Sequence, residues 1–557
     1  MDLVRSPAML PVKPKETVSM VTRDGVRLDA DLYRPEGEGP FPVLLMRQPY
    51  GRAIASTVVY AHPEWYAAHG YLVVIQDVRG RGTSEGTFRL FADEIADGED
   101  TVRWAAALPG SSGRVGMYGF SYQGMTQLYA AIARPPELQA LCPAMIGYDL
   151  HRDWAYEGGA FCLQMNLGWA LQLATETARR RGDEAAYHAL LAASRQLPLG
   201  GPVPANPQIL RDLAPDSFYH DWLAHPDPQA EYWRSLSPQG QMDAVDLPML
   251  HIGGWFDTYL RGTLRFYRDR AEHSQKSQAL LVGPWGHLPW GRRVGDRDYG
   301  PAAESPVDRW QIAWFDRWLK DQPEAWGDRP PVTLFEMGRN QWRSLPSWPT
   351  AHPQRFFLTS HGEAGIRTDD GRLTPQPPSQ AGRDRWVHDP WRPVPAAGGH
   401  ASFPAGPVER GAVDCRSDVL TYSSAPLDVE LCLAGDLRLE VFCQADVPSF
   451  DLCAVLSEVL PDGRVYAFSQ GYRRIDTPQA QPIALALQPT CQTIAPGSAL
   501  RLSLSAACFP AFPVNPGTGD RAHSARTLTA QIVTLRLDHG GDRPSQLILN
   551  RLDSPSP

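Results

Sequence analysis

Three residues of this chain carry the side chains that acyl-transfer chemistry requires: Ser121, Asp257 and His287. A serine hydroxyl becomes an effective nucleophile only when a base removes its proton, and histidine is the side chain that titrates near neutral pH. A carboxylate can hold the imidazole in the productive tautomer and stabilise its charged form. We therefore predict that Ser121 is a nucleophile, His287 its base and Asp257 the acid that orients this base.

The serine lies in the sequence GMYGFSYQG, at the junction between an apolar run and a helical run over residues 125–133. A serine flanked by glycines at a strand-to-helix corner is typical of a nucleophile elbow, in which a strained turn exposes the hydroxyl above the sheet. The second glycine comes one position later than usual, at Gly124, with Gln123 in the expected place. A simple Ser-Gly turn that ends a strand is the alternative for this segment taken alone.

Asp257 and His287 each follow an apolar run that is typical of a buried strand, over residues 247–253 and 278–283. The chain order serine, acid, histidine is the order found in α/β-hydrolases, where all three side chains meet at one edge of the sheet. Each residue also has a structural alternative: Asp257 could cap a helix, and His287 could be a hydrogen-bonded core or surface histidine. His251 lies inside the first strand, and we predict a core position for it.

Acyl transfer also needs donors for the negatively charged oxygen of the tetrahedral intermediate. The backbone N–H of Tyr122, next to the nucleophile, is one candidate donor. The hydroxyl of Tyr50, on the loop after a predicted strand at residues 41–46, is the second, although Tyr50 could also be a packing residue. We predict that these two groups form the oxyanion hole.

The elements that must position these residues alternate between strands and helices up to about residue 150, which predicts a doubly wound parallel sheet. An Asp24-Gly25 hairpin is followed by buried strands at residues 41–46 and 71–78 and a helix at residues 93–107. The glycine-rich loop after the second of these strands lacks the spacing of a phosphate-binding loop, so nucleotide binding is disfavoured. Residues 154–233 are helical in pattern and rich in aromatic residues, which predicts an inserted cap.

Beyond a helix at residues 309–320, the sequence consists of short strands separated by proline and glycine, which indicates a sandwich or jelly roll. The predicted fold class is therefore α/β, with an inserted helical cap and a C-terminal all-β jelly-roll domain. We predict a catalytic domain of residues 1–150 and 241–350, a cap of residues 151–240 and a jelly roll of residues 351–557.

Composition excludes several classes of partner for the 557-residue chain. Its net charge of −9 and pI near 5.9 argue against binding to nucleic acid or to an anionic membrane. No signal-peptide pattern begins the sequence, and no apolar run reaches the ~18 residues of a membrane span. The eight cysteines show no C-x-x-C spacing, which is typical of free thiols in a reducing cytosol. We predict a cytoplasmic enzyme with no metal and no cofactor, and leave open whether it forms a homo-oligomer.

Short segments spread over nearly the whole chain resemble the cocaine esterase / X-Pro dipeptidyl-peptidase family of serine hydrolases, which also has the late glycine of the elbow. The segments are residues 47–50 (RQPY), 77–86 (DVRGRGTSEG), 119–124 (GFSYQG), 254–257 (GWFD), 283–287 (GPWGH), Gly338 with Trp342, Trp348-Pro349, 389–395 (DPWRPVP) and Gly398-Gly399.

The resemblance implies the fold and the triad described above, with Tyr50 and the Tyr122 N–H as the oxyanion hole. By the same resemblance, Trp154, Trp169 and Tyr259 line the acyl pocket, and Phe403 closes it from the jelly roll.

Family members that act on α-amino acid esters carry acidic residues just after the triad acid, whereas this chain has Thr258, Tyr259 and Leu260. A substrate with a free amine is therefore disfavoured, because a buried cation would lack compensation. We predict a carboxylic-ester hydrolase that prefers apolar or aromatic acyl groups. An amide-cleaving acylase or X-Pro dipeptidyl-peptidase uses the same triad and stays open, as do a carbohydrate-directed protein and a non-catalytic scaffold.

Overall fold

The computed structural model describes residues 9–54, 56–349, 352–476 and 482–552. The predicted domain limits at residues 1, 350, 351 and 557 lie outside this range, so the domain boundaries stay predictions.

The first part of the chain contains strands β1 to β14, in chain order: β1 (Glu16–Val21), β2 (Arg27–Tyr33), β3 (Phe41–Gln48), β4 (Leu72–Asp77), β5 (Ser111–Phe120), β6 (Leu138–Ala144), β7 (Tyr156–Glu157), β8 (Ala160–Phe161), β9 (Met249–Phe256), β10 (Gln278–Gly286), β11 (Arg293–Val294), β12 (Arg297–Asp298), β13 (Val332–Glu336) and β14 (Gln341–Leu345). The second part contains β15 (His352–Thr359), β16 (Arg372–Thr374), β17 (Gly382–His388), β18 (Leu420–Ser423), β19 (Leu431–Ala445), β20 (Phe450–Val459), β21 (Val465–Ile475), β22 (Ile483–Ile494), β23 (Ala499–Ser505), β24 (Val533–His539) and β25 (Gln546–Arg551).

The helices in chain order are α1 (Pro63–Ala68), α2 (Glu94–Ala106), α3 (Tyr122–Ile132), α4 (Leu163–Arg181), α5 (Glu184–Arg195), α6 (Gln208–Leu213), α7 (Phe218–Ala224), α8 (Glu231–Leu236), α9 (Leu260–His273), α10 (Val307–Leu319), α11 (Pro323–Trp326) and α12 (Gly411–Asp414). A π-helical turn at His151–Ala155 and short 3₁₀ turns at Arg52–Ile54, Pro301–Ala303 and Thr527–Thr529 complete them.

The first sheet has the order β1-β2-β4-β3-β5-β6-β9-β10-β13-β14. The strands from β4 to β13 along this order are parallel, and antiparallel strands lie at both edges. Successive side chains of β3 alternate between faces: Val43 and Leu45 pack in the cluster that contains α2 and α3, whereas Leu44 and Met46 pack in the cluster that contains α10. Both faces are covered, which explains why the parallel strands are continuously apolar in sequence.

The two strands that carry the acid and the base are longer than predicted. Strand β9 continues through Gly254 to Phe256 instead of ending at residue 253, and β10 continues to Gly286 instead of ending at residue 283. The two strands pair regularly as far as Gly283, and after an irregularity they pair again at Phe256 and Gly286. This pairing requires glycine at position 254, because a Cβ there would lie only 2.4 Å from the Trp285 carbonyl oxygen. As a result, Asp257 and His287 both follow their strands directly.

Helix α3 begins at Tyr122, immediately after the serine, and not near residue 125 as predicted. Gly124 therefore lies in the first turn of the helix, where α3 packs against the end of β6. A Cβ at Gly124 would lie 2.3 Å from Ile146 Cγ2 and 2.8 Å from the Ala144 carbonyl oxygen. The late glycine of the sequence is a packing requirement of this helix.

The cap region contains α4 to α8, but it begins with the π-helical turn and the β7–β8 hairpin, so it is not helical throughout. Its aromatic residues pack mainly on one another: the rings of Trp222 and Trp233 are 5.6 Å apart and those of Phe218 and Trp222 are 4.8 Å apart. Most of the cap aromatics thus form the core of the cap itself, as expected for a small inserted subdomain.

The second sheet has the order β17-β24-β19-β25-β15-β16-β18-β23-β20-β21, and β22 pairs with β19. This sheet contains the short strands that the sequence predicts. The fold class is thereby confirmed as an α/β-hydrolase sheet followed by a C-terminal β domain. All eight cysteines are free thiols, and Cys415 is the exposed one. In the part of the chain that the structure covers, no helix combines the length and apolarity needed to cross a bilayer.

The tight packing of Gly124 generates a stability prediction. We expect Gly124→Ala to lower the free energy of unfolding by about 2 kcal/mol, because the added methyl group forces α3 away from β6. Gly168→Ala is the matched control, since Gly168 lies in α4 with no atom within 4 Å of the position that a methyl group would take, and a helical alanine should stabilise by up to about 1 kcal/mol. Urea unfolding measures both, and equal midpoints for the two variants would contradict the prediction.

Candidate active site

Ser121 lies between β5 and α3 with φ +59° and ψ −128°, a backbone conformation that is strained for a residue with a side chain. Its N–H donates to the Ala144 carbonyl oxygen at 2.9 Å, and its own carbonyl oxygen accepts from the Met125 N–H at 3.0 Å. These bonds fix the turn from both sides. Gly119, with φ +140°, allows the close approach of Gln123, whose side-chain amide contacts Gln48 at 3.1 Å.

The His287 Nδ1 and the Asp257 Oδ1 are 2.8 Å apart, so the imidazole donates its Nδ1 proton to the carboxylate. This bond leaves Nε2 free to accept a proton. The carboxylate is fully buried, and its other oxygen accepts the Tyr259 N–H at 3.1 Å. Asp257 therefore has a fixed orientation and no competing solvent, as required of an acid that orients a base.

Strand order brings the base to the serine. Ser121, Asp257 and His287 follow β5, β9 and β10, which run parallel in the same sheet, so all three stand at its carboxyl edge. The imidazole ring of His287 lies 5.2 Å from the ring of Phe120, the residue before the serine. The three predicted residues therefore lie at the same edge of the sheet.

Tyr50 faces the same point from the loop after β3. Its hydroxyl accepts the Trp169 indole N–H at 3.2 Å and lies near the Ser121 hydroxyl. Burial raises the pKa of Tyr50 and the contacts with Trp169 and Ser121 partly offset that rise, which leaves a pKa of about 12. The hydroxyl therefore stays protonated at neutral pH and can donate.

Tyr122 is the first residue of α3, so its N–H has no acceptor within the helix. Its side chain points away from the serine into the core, where the hydroxyl donates to Glu94 Oε1 at 2.7 Å and the ring stacks on Phe91 at 4.8 Å. The anchored ring holds the backbone at the start of the helix. The Tyr122 N–H is thereby positioned beside the nucleophile.

An aromatic wall runs from the base to the cap. The ring of Tyr259 is 5.0 Å from His287 and 4.2 Å from Trp154, which in turn is 5.3 Å from Trp169. Because Trp169 bonds to Tyr50, the wall links both sides of the site. Three of the residues expected in the acyl pocket are therefore brought together.

The chain is similar to known proteins over most of its length. Residues 24–289 match the family model for X-Pro dipeptidyl-peptidase (S15 family), and residues 324–548 match the model for the X-Pro dipeptidyl-peptidase C-terminal non-catalytic domain. The chain is 33% identical to cocaine esterase from Rhodococcus sp. (strain MB1 Bresler), with 96% of this chain and 97% of that protein covered. The chain belongs to the cocaine esterase / X-Pro dipeptidyl-peptidase family.

Solved structures agree in fold. An aminopeptidase from a marine sediment archaeon, Thaumarchaeota archaeon, superposes with a TM-score of 0.81 at 23% identity, covering 97% of both chains. An α-amino acid ester hydrolase superposes with a TM-score of 0.79 at 23% identity, covering 99% of this chain and 98% of the other. The predicted resemblance and the predicted enzyme class, a serine hydrolase that acts on esters, are confirmed by membership of this family.

Phe403, which the family resemblance places at the pocket, differs from the other predicted pocket residues because it is exposed. The Phe403 side chain is 67% exposed, and its backbone, not its ring, is bound: the N–H donates to Gln164 Oε1 at 3.0 Å and the carbonyl accepts from Gln164 Nε2 at 3.2 Å. The loop does approach the base, since a Cβ at Gly286 would lie 3.3 Å from that of Ala405. A role of the Phe403 ring in closing the pocket stays a prediction.

Two supports of the site have no sequence signal. Gln488 of β22, in the β domain, donates its side-chain amide to the Asp257 carbonyl oxygen at 2.7 Å. A second support joins the cap, helix α9 and the β domain: Glu157 Oε2 lies 2.7 Å from Arg261 Nη1 and 2.8 Å from His400 Nε2. These residues are far apart along the chain and belong to none of the segments that indicate the family, so only the coordinates connect them.

The Glu157 carboxylate is buried, yet it carries the charge at this junction. Burial alone would raise the pKa of Glu157, but Arg261 and His400 together lower it to about 2. The folded value lies below the ~4.3 of an unfolded glutamate, so the ionised group stabilises the fold above pH ~4.3 and loses this effect as pH falls toward 2.

We therefore expect Glu157→Gln to lower the free energy of unfolding by about 3 kcal/mol at pH 7, with a deficit that shrinks as pH falls from 4 toward 2. The control is Glu231→Gln, which removes an exposed pair with Arg234 and should change stability by less than about 1 kcal/mol. Unfolding temperatures of the three proteins across this pH range test the expectation. A deficit independent of pH would contradict it.

Proposed function

We propose that this protein hydrolyses carboxylic esters through an acyl-enzyme formed on Ser121, with His287 as general base and Asp257 as its orienting acid. The observation that carries the proposal is the 2.8 Å bond between Asp257 and His287 at the end of strands parallel to the one that ends in the strained serine. That arrangement has the three chemical roles of the triad and leaves the imidazole Nε2 free for proton transfer.

In the first half-reaction, the Ser121 oxygen bonds to the carbonyl carbon of the ester while its proton passes to His287 Nε2. Collapse of the tetrahedral intermediate breaks the bond to the alcohol oxygen, which takes that proton from the imidazolium. In the second half-reaction, water gives its proton to the same nitrogen and attacks the acyl carbon, and the acid leaves as Ser121 regains the proton. Asp257 stays ionised throughout and stabilises the imidazolium.

The negative oxygen of each intermediate is stabilised by the Tyr50 hydroxyl and the Tyr122 N–H. Tyr50 is supported by the Trp169 indole, so its hydroxyl is oriented before substrate binds. The start of α3 adds the favourable end of the helix dipole. Preorganised donors of this kind act on charge that exists only in the transition state and therefore raise kcat more than they lower KM.

The acyl group is proposed to be apolar or aromatic, because Tyr259, Trp154 and Trp169 supply rings next to the base. The buried carboxylates of the cap are engaged elsewhere: Glu157 pairs with Arg261 at 2.7 Å, and Asp153 pairs with Arg265 at 3.2 Å. A free amino group on the substrate would bind near neither of them without displacing an arginine. This favours simple esters over dipeptidyl substrates.

Cleavage of an amide or X-Pro bond is the second candidate, favoured by the match of residues 24–289 to the dipeptidyl-peptidase model. The triad chemistry is the same, so the discriminating measurement is kcat/KM for an ester and for the amide with the same acyl group. A higher value for a dipeptidyl-Pro amide than for an apolar ester would make this candidate the better one.

Ser121→Ala is expected to abolish turnover of p-nitrophenyl esters, with a loss of at least about 10⁴-fold, because no other nucleophile replaces the hydroxyl. Far-ultraviolet circular dichroism and the unfolding temperature should match those of the wild type. A fluorophosphonate probe should label the wild type and leave the variant unlabelled. Labelling or turnover that survives in the variant would refute the proposed nucleophile.

Tyr50→Phe is expected to lower kcat by roughly 10²–10³-fold with little change in KM, because it removes one donor to the oxyanion. Tyr60→Phe is the matched control, since this buried tyrosine packs its ring 6.1 Å from Phe120 and contributes no donor to the reaction. Steady-state kinetics on one ester compares the two. Full activity in Tyr50→Phe would remove Tyr50 from the site.

A further inference from the structure

The glycine-rich loop after β4 places a buried cation behind the active site. Arg81 is 2% exposed, and within the described residues no carboxylate oxygen lies within 4.0 Å of its guanidinium. This differs from Arg47, the other fully buried arginine near the elbow, which is paired with Glu94. An uncompensated buried charge is costly, so its retention calls for a physical reason.

The guanidinium is held by neutral groups. Its Nη1 donates to the Leu173 carbonyl oxygen at 3.0 Å and to the Thr177 Oγ1 at 3.2 Å. Its Cζ lies 3.8 Å from the centre of the Phe88 ring. Its buried Nε has no hydrogen-bond partner among the residues that the structure describes. Burial lowers the pKa of Arg81 to about 10, so the side chain still carries its charge at neutral pH. Glu176, whose charge also reaches Arg81, is held by Arg179.

Both supports of Arg81 connect directly to the oxyanion donors. Leu173 lies one turn after Trp169 on α4, and Trp169 donates to the Tyr50 hydroxyl. The Phe88 ring lies 6.0 Å from the ring of Tyr122. The positive charge therefore lies one layer of side chains behind the Tyr50 hydroxyl and close to the ring that anchors Tyr122 at the start of α3.

We propose that Arg81 is an electrostatic positioning residue that stabilises the tetrahedral oxyanion through the layer formed by Tyr50, Trp169 and Tyr122. The inference rests on the proposed function, because it assumes that negative charge develops in front of Tyr50. A cation held in a poorly polarisable environment acts on that charge without reorganising, and it has no counterion that would cancel its field. Its charge also lowers the pKa of the Tyr50 phenol, which burial otherwise raises, and so makes that hydroxyl a better donor.

The guanidinium does not contact substrate in this arrangement, because α4 and Phe88 cover it. Its effect should therefore appear in the transition state and not in substrate binding. Recognition of an acidic acyl group by Arg81 is the competing explanation, and the experiment separates the two.

The test compares Arg81→Met, which keeps most of the volume and removes the charge, with Arg81→Lys, which keeps the charge. We expect Arg81→Met to lower kcat on a neutral p-nitrophenyl ester by about tenfold with KM unchanged, and Arg81→Lys to restore at least a third of the wild-type kcat. Phenylboronic acid, which forms an anionic tetrahedral adduct with a serine, should inhibit Arg81→Met about tenfold more weakly. If Arg81→Met fails to fold, Arg81→Gln takes its place.

Arg180→Met is the matched control, because Arg180 binds the same loop through the carbonyl oxygens of Gly82 and Ser84 but lies nearer the surface. It should keep wild-type kcat and boronate affinity. Equal losses in Arg180→Met and Arg81→Met, or no rescue by lysine, would overturn the proposal in favour of loop packing. A loss restricted to esters with a negatively charged acyl group would overturn it in favour of substrate recognition. A wild type that neither turns over esters nor binds boronate would instead refute the proposed function itself.

Discussion

The hydrogen bond between Asp257 and His287 is the interaction on which the rest of the site depends. It exists because β9 and β10 are parallel neighbours that end in the same register, so two residues thirty positions apart come within 2.8 Å. The carboxylate is buried, and burial of an unpaired charge would be strongly unfavourable. The Tyr259 N–H and the imidazole together satisfy it, and they also fix which imidazole nitrogen carries the proton. A structural requirement, compensation of a buried charge, and a catalytic one, the correct tautomer, are thus met by the same contacts.

Around this pair, the molecule uses three different ways to hold a charge out of water. Asp257 is bound by His287, the proposed general base. Glu157 is bound by Arg261 from helix α9 and by His400 from the β domain, and it ties three regions together. Among the described residues, the hydrogen-bond partners of Arg81 are neutral groups, and we propose that its charge acts on the oxyanion. The charge of Glu157 is thus compensated by direct partners, whereas that of Arg81 is not.

Much of this could be predicted from sequence because the information is local. The nucleophile turn, the buried strands and the Asp24-Gly25 hairpin each depend on a few neighbouring residues, and the order of Ser121, Asp257 and His287 restricts how they can meet. The ends of β9 and β10 were harder, since their last residues are ordered by pairing with each other and not by local propensity. The contacts of Gln488 and Glu157 could not be predicted at all. The contacts of Gln488 with Asp257 and of Glu157 with His400 join segments more than two hundred residues apart, and the residue types involved occur on any protein surface.

The bond from Gln488 to the Asp257 carbonyl has a consequence for how the enzyme comes into being. The proposed acid, base and nucleophile all lie in the domain of the first sheet, whereas Gln488, which braces the proposed acid, lies far along the chain in β22 of the β domain. A nascent chain that has completed only the first sheet lacks this brace and the His400 side of the three-way junction. We therefore expect the proposed active site to be fully supported only after the β domain has folded against it.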